Sequence, residues 1–163
     1  MKKLFIFLSW FFLAISLKAQ IKDANYVIDF SEALICNMDE ESFAVYETDW
    51  FKDKPEIVGI FLEEILKKTG KLLPFRKSSE NTVRVIVRKV TDNGKYRCDM
   101  ELVDNKNSRL IDIKDVNCSK GGTWGTKLNL MKEGAHKEGS NLGSAMKSAF
   151  KTYLKQQTPI SMK

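Results

Sequence analysis

Val83-Arg84-Val85-Ile86-Val87-Arg88-Lys89-Val90 is the stretch that decides the fold. Apolar and basic residues alternate along it, the period of a strand in a sheet with one buried and one solvated face. Asp92-Asn93-Gly94 then predicts a tight turn, which brings Tyr96–Val103 back beside the first strand. Tyr96, Cys98, Met100 and Leu102 alternate onto its apolar face. After Asp104-Asn105-Lys106-Asn107-Ser108, the segment Leu110–Val116 reads as a third strand. Short connections make these three an antiparallel meander. Its wet face is expected to carry Arg84, Arg88, Arg97, Asp99 and Glu101.

The same meander bears on the cysteines. A hairpin turning near Asn105-Lys106-Asn107 pairs Cys98 with about Lys114. Cys118 then lies some four residues further on, roughly 13 Å at strand rise, beyond the ~4.4–6.8 Å Cα separation of a disulfide. Cys36, Cys98 and Cys118 are therefore read as free, small apolar residues; a pairing of Cys36 with either partner stays open.

Upstream, Tyr26-Val27-Ile28-Asp29-Phe30 reads as the first strand, extendable through Ala33-Leu34-Ile35-Cys36. Asn37-Met38-Asp39-Glu40 has a capping side chain and first-turn acids, the marks of a helix start. Phe43, Tyr46 and Trp50 follow at the spacing of one apolar face. Asp53-Lys54-Pro55-Glu56 predicts a second helix start, with Asp53 as cap and Pro55 in the first turn. Ile57, Phe61 and Ile65 carry that helix over 54–69, and Gly70 is expected to close it in a left-handed conformation.

Downstream, Gly121-Gly122-Thr123-Trp124-Gly125 leads into a helix reaching about Gln156. Leu142, Met146, Phe150 and Tyr153 form its apolar face. Ala135, Gly139 and Gly143 share that face. A helix-interior glycine costs about 0.5–1 kcal/mol against alanine, so the pair implies close approach of backbone to the sheet. No repeat, low-complexity linker or second domain is visible. The expectation is one two-layer α+β domain over 20–163, with a mixed sheet of about four strands covered on one face by the two long helices.

The amino terminus carries an address. Lys2-Lys3, the apolar run Leu4–Leu8, Trp10-Phe11-Phe12-Leu13-Ala14-Ile15 and a close at Ala19-Gln20 make an export signal over 1–19. The apolar core falls short of the roughly 20 residues of a membrane span, and no cysteine stands at the cut to take a lipid. Lys2, Lys3 and Lys18 leave with the leader. That leaves 24 basic against 21 acidic residues, a net charge of +3 in place of +6, which weakens the case for a nucleic-acid partner.

Catalytic signatures are sparse. His136 is the single histidine, so His-based metal sets and nucleophile–histidine pairs each rest on one residue, read as solvent-facing or helix-capping. Glu40, Glu41, Glu63 and Glu64 read as outer faces of amphipathic helices. Lys106 places a cation at the third position of the Asp104 turn, against a calcium loop. Gly121–Lys127 is not a phosphate-binding P-loop, because Lys127 does not follow the last glycine directly. It reads first as a sharp chain reversal, with Trp124 folded back onto the core. Lys147, Lys151 and Lys155 read first as the solvated face of the last helix.

The order of elements carries a resemblance. Val27-Ile28-Asp29-Phe30, then Lys95-Tyr96-Arg97-Cys98-Asp99-Met100-Glu101-Leu102-Val103-Asp104, then Gly121-Gly122-Thr123-Trp124-Gly125 before a Gly/Ala-bearing helix resemble small exported proteins of Bacteroides-type Gram-negative bacteria. The layout is also distantly similar to periplasmic domains of the curli secretion lipoprotein, the penicillin-binding-protein activators and the TolB amino-terminal domain. The resemblance implies a protein-binding or accessory role in the envelope. Without a lipid-bearing cysteine or a second domain, neither pore assembly nor synthase activation carries over, and no functional residues transfer.

The expectation for function is thus a non-catalytic, exported binding domain of the periplasm or cell envelope, with no cofactor and no metal. Its partner would be another envelope protein or an anionic envelope component. The rival is a small carboxylate-based periplasmic hydrolase with acids from 39–64 facing a cleft. If there is a binding surface, it is expected at Thr123, Trp124 and Lys127, extended by Lys147 and Lys151. Free N–H groups at a helix start, an aromatic anchor and nearby lysines would together attract an anionic or amphipathic partner.

Overall fold

The computed structural model describes residues 21–117 and 120–157; the expected leader over 1–19 and Cys118 lie outside them. The elements run β1 (Asn25–Asp29), β2 (Leu34–Ile35), α1 (Glu40–Tyr46), α2 (Trp50–Thr69), β3 (Thr82–Val90), β4 (Tyr96–Val103), β5 (Arg109–Asn117) and α3 (Lys127–Gln157). The sheet order is β1-β3-β4-β5. β3, β4 and β5 form the expected antiparallel meander, and β1 joins β3 in parallel. β2 is a separate short strand rather than an extension of β1; it lies parallel against the far end of β3, pairing Leu34 with Lys89. The architecture is the two-layer α+β arrangement of a mixed sheet and helices.

Alternation decides the core. Val83, Val85 and Val87 of β3 and Tyr96, Cys98, Met100 and Leu102 of β4 are buried, together with Phe61 and Ile65 of α2 and Leu142, Met146 and Phe150 of α3. Each large apolar side chain so buried contributes about 1.5–3 kcal/mol. Phe61 meets Tyr96 edge-on at 5.0 Å between centroids, which fixes α2 over the centre of the sheet.

The opposite face is a continuous ion-pair chain. Glu32 pairs with Arg88, Arg88 with Asp99 at 3.0 Å, Asp99 with Lys114 at 3.7 Å and Lys114 with Asp112 at 3.0 Å. It continues from Asp112 to Arg109 at 3.3 Å, Arg109 to Glu101 at 2.7 Å and Glu101 to Arg84 at 3.4 Å. Four acids alternate with four bases, so this chain of pairs carries no net charge. Glu101 departs from expectation: it lies on the wet face yet is only 4% exposed, because Arg84 and Arg109 close over it.

Several local expectations change. α2 begins at Trp50, not after Asp53, because Trp50 is buried between Phe30 and Phe43 and its indole donates to Glu40 at 2.9 Å. Asp53 instead pairs with Lys132 of α3 at 3.3 Å, and Pro55 sits inside the helix, where it removes one backbone bond. Gly70 is right-handed (φ −57°), since the chain keeps turning and the N–H groups of Leu72 and Leu73 return to the Thr69 carbonyl. Tyr46 does not join the apolar face of Phe43 and Trp50, since α1 ends there and its ring is 66% exposed. Bulges in β4–β5 shift the register, so Cys98 faces Val116 rather than Lys114.

Gly139 and Gly143 approach α2, not the sheet. A Cβ on Gly139 would lie 2.8 Å from Glu64 Cβ, and one on Gly143 would lie 2.9 Å from Lys68 Cβ and 3.0 Å from the Ile65 backbone. The two long helices therefore touch backbone to backbone.

Candidate functional site

The loop before α3 is held from two sides. Gly122 donates its N–H to the Asn93 carbonyl at 2.8 Å; a side chain there would meet Leu130 Cα at 2.6 Å, so only glycine lets the loop lie between the β3–β4 turn and α3. Glu133 accepts the Thr123 N–H at 2.9 Å, and Lys137 donates to the Gly121 carbonyl at 2.6 Å and to Glu133 at 2.8 Å. The Lys137 ammonium, and after it the Thr123 N–H, hold the Glu133 carboxyl below its ordinary pKa. The reversal was legible in the glycines; the Glu133–Lys137 clamp was not, because residues 10 to 16 positions apart meet only once the loop and the helix are packed.

Trp124 does not fold back onto the core. It projects from this clamped loop with 89% of its surface exposed. Thr123 has spent its N–H on Glu133, and the Thr126 hydroxyl caps the start of α3 by accepting the Asn129 N–H at 3.4 Å. The free N–H groups expected for an anion at this helix start are thus partly consumed.

Lys127 bridges to α1. Its ammonium lies 4.3 Å from the Tyr46 ring centroid and 5.9 Å from that of Phe43, and 3.5 Å from the Glu47 carboxylate. Beneath it opens a cleft of about 380 Å³, lined by Cys36, Asn37, Met38, Tyr46, Lys89, Thr91, Asp92 and Lys127. Cys36 (φ 52°) and Asn37 (φ 65°) both adopt left-handed backbone. Ile35 and Met38 exchange backbone hydrogen bonds across them at 2.7 and 2.9 Å, the pattern of a two-residue hairpin turn. Burial pushes the Cys36 thiol up, and the charges of Asp92 and Glu47 add to this against Lys127. The thiol stays protonated at neutral pH and is a poor nucleophile.

Lys147 and Lys151 do not extend this surface. They lie 20 and 24 residues further along α3, roughly 30 Å or more from Lys127 at helical rise. They line a different groove of about 330 Å³ with Lys68, Ser144 and Ser148. The expected site residues thus divide between the two ends of α3.

Six of the nine acids of the 39–64 segment are drawn into ion pairs, among them Glu47 with Lys127 and Asp53 with Lys132. Glu40 pairs with Lys54 at 2.5 Å, Glu56 with Lys132 at 2.6 Å, and Glu63 and Glu64 with Lys67 at 2.8 and 2.7 Å. His136 is exposed and meets Glu64 at 3.1 Å. Among the described residues, no group of three or more His, Cys, Asp or Glu is placed to hold a metal ion, and no helix is long and apolar enough to cross a membrane. No protein-family profile, curated protein or solved structure matches the chain.

Proposed function

We propose that the protein is an exported, non-catalytic binding module of the Gram-negative periplasm or envelope, which contacts a partner protein through the end of the domain bearing Trp124. The observation that carries this reading is an indole left 89% exposed on a loop held by the Glu133–Lys137 clamp. A large aromatic surface on a loop whose backbone is already tied down is the anchor that protein interfaces favour, because the loop loses little entropy on docking. Exposed Val45 and Tyr46 of α1 and Phe51 of α2 extend the apolar area, with Tyr46 tied to Lys127. Most carboxylates of the 39–64 segment are ion-paired and none lines the cleft under Lys127, which favours this reading over hydrolysis, since a carboxylate dyad needs acids that converge on a cleft.

Two measurements test it. Iodide should quench the emission of native protein strongly, and Trp124→Phe should remove the quenchable component while leaving that of buried Trp50. Photo-crosslinking in the envelope fraction should then capture a protein through residues 123–127, with capture lost in Trp124→Ala. Capture that survives Trp124→Ala would refute the site. Export predicts a chain starting at Gln20 in protein isolated from its host; intact Met1 in a cytoplasmic fraction would refute the address.

A further inference from the structure

The groove at the far end of α3 has a charge that no ion pair among the described residues balances. Lys68 from α2 and Lys147 and Lys151 from α3 line it with Ser144 and Ser148, and no carboxylate takes part. The usual intrahelical partner of Lys68 is Glu64, four residues earlier. Here Glu64 is committed to Lys67 at 2.7 Å and to His136 at 3.1 Å. On α3 no acid follows Glu138 through Gln157, so neither Lys147 nor Lys151 has an acidic neighbour at three or four residues' distance. Like charges one turn apart oppose helix formation.

The groove also depends on a contact the fold builds deliberately. Gly143 leaves room for the Lys68 stem, whose Cβ lies where a Gly143 side chain would come within 2.9 Å. That contact brings the cation of α2 to the turn of α3 that carries Ser144 and Lys147. Any larger residue at 143 would separate the two helices and the three charges with them.

We infer that this groove binds a phosphate group, held by Lys68, Lys147 and Lys151 with the Ser148 hydroxyl as an added donor, the Ser144 hydroxyl being spent on the Ser140 carbonyl at 2.9 Å. Three ammonium groups and the Ser148 hydroxyl along one groove match the several acceptor oxygens of a tetrahedral oxyanion. A carboxylate offers one charge and two oxygens, too few for this donor set. The phosphate belongs either to a lipid headgroup or to a small soluble anion. The site is independent of the Trp124 surface.

The test uses inorganic phosphate in one arm and vesicles in the other. Phosphate added at constant ionic strength should produce saturable amide shifts at Ser144, Lys147 and Ser148, with chloride producing none. Vesicles containing phosphatidylglycerol should sediment the protein where phosphatidylcholine vesicles do not. The variant Lys68→Gln/Lys147→Gln/Lys151→Gln should lower affinity by about tenfold or more. The charge-matched variant Lys22→Gln/Lys77→Gln/Lys106→Gln should lower it far less. Binding in the vesicle arm, with or without inorganic phosphate, assigns a lipid source; binding of phosphate alone assigns a soluble one. Binding in neither arm, or equal weakening by both triple variants, overturns the inference. Trp124→Ala should leave phosphate binding unchanged, so failure here is separable from failure of the partner-binding reading.

Discussion

Replacing Glu138 by glutamine is expected to stabilise the protein by about 3 kcal/mol at pH 8 and to change little at pH 4. Glu138 lies on α3 with no exposed surface, and neither carboxyl oxygen has a hydrogen-bond partner. Burial raises its pKa to about 7; the Asn141 amide one turn on lies near enough to oppose this weakly but not within hydrogen-bond geometry of either oxygen. Cys98 of β4 faces it, and that thiol is itself pushed far up by burial and by the Glu138 charge. The folded-state pKa lies above the unfolded value near 4.5. Folding is therefore most favoured where both states are protonated, and stability falls as pH rises from about 4.5 through 7. Above 7 the full penalty of a buried, unpaired carboxylate remains. Glutamine keeps the shape and removes the ionisation, so its stability should be nearly flat across that window. Urea denaturation of both proteins at half-unit pH steps checks this; parallel profiles would refute the assignment of Glu138 as a buried, shifted acid.

Gly134→Ala should destabilise by about 3 kcal/mol, although alanine is the better helix former by about 1 kcal/mol. A Cβ at 134 would fall 1.7 Å from the Gly94 carbonyl oxygen and 3.1 Å from the Tyr96 ring. The first is backbone of the β3–β4 turn, and the Tyr96 hydroxyl is tied to the Met131 carbonyl at 3.0 Å. Neither can yield without lifting α3 from the sheet. Gly59, exposed on α2 with nothing within 4 Å of an added Cβ, is the matched control. Gly59→Ala should stabilise by about 0.5–1 kcal/mol through helix propensity alone. Denaturation midpoints moving in opposite directions would confirm that contact, and not propensity, decides the two positions. Equal gains would show that α3 does not seat on the turn at Gly134.

The sequence by itself determined the elements whose signal is local and periodic. Alternation in Val83–Val90 and Tyr96–Val103, the turn at Asp92-Asn93-Gly94 and the apolar stripe Leu142-Met146-Phe150 each state which face is buried, and the meander and α3 follow from them. What lies opposite such a face is not a local property, and the tertiary structure alone decided it. Asp53-Lys54-Pro55-Glu56 carries good capping chemistry, yet burying Trp50 against Phe30 and Phe43 outweighed a cap worth about 1 kcal/mol and moved the helix start to Trp50. Gly139 and Gly143 announced a close approach without naming its partner, which proved to be α2. A tryptophan among glycines reads first as an anchor folded back onto the core, yet Trp124 projects into solvent. The Glu133–Lys137 clamp, formed across the loop and the helix, holds the residues just before it against α3. Lys147 and Lys151 were visible as a stripe, but Lys68 joins them only because two helices 70 to 80 residues apart in sequence meet at Gly143. Periodicity is written in neighbouring residues, whereas a site is made of side chains that long-range packing brings together.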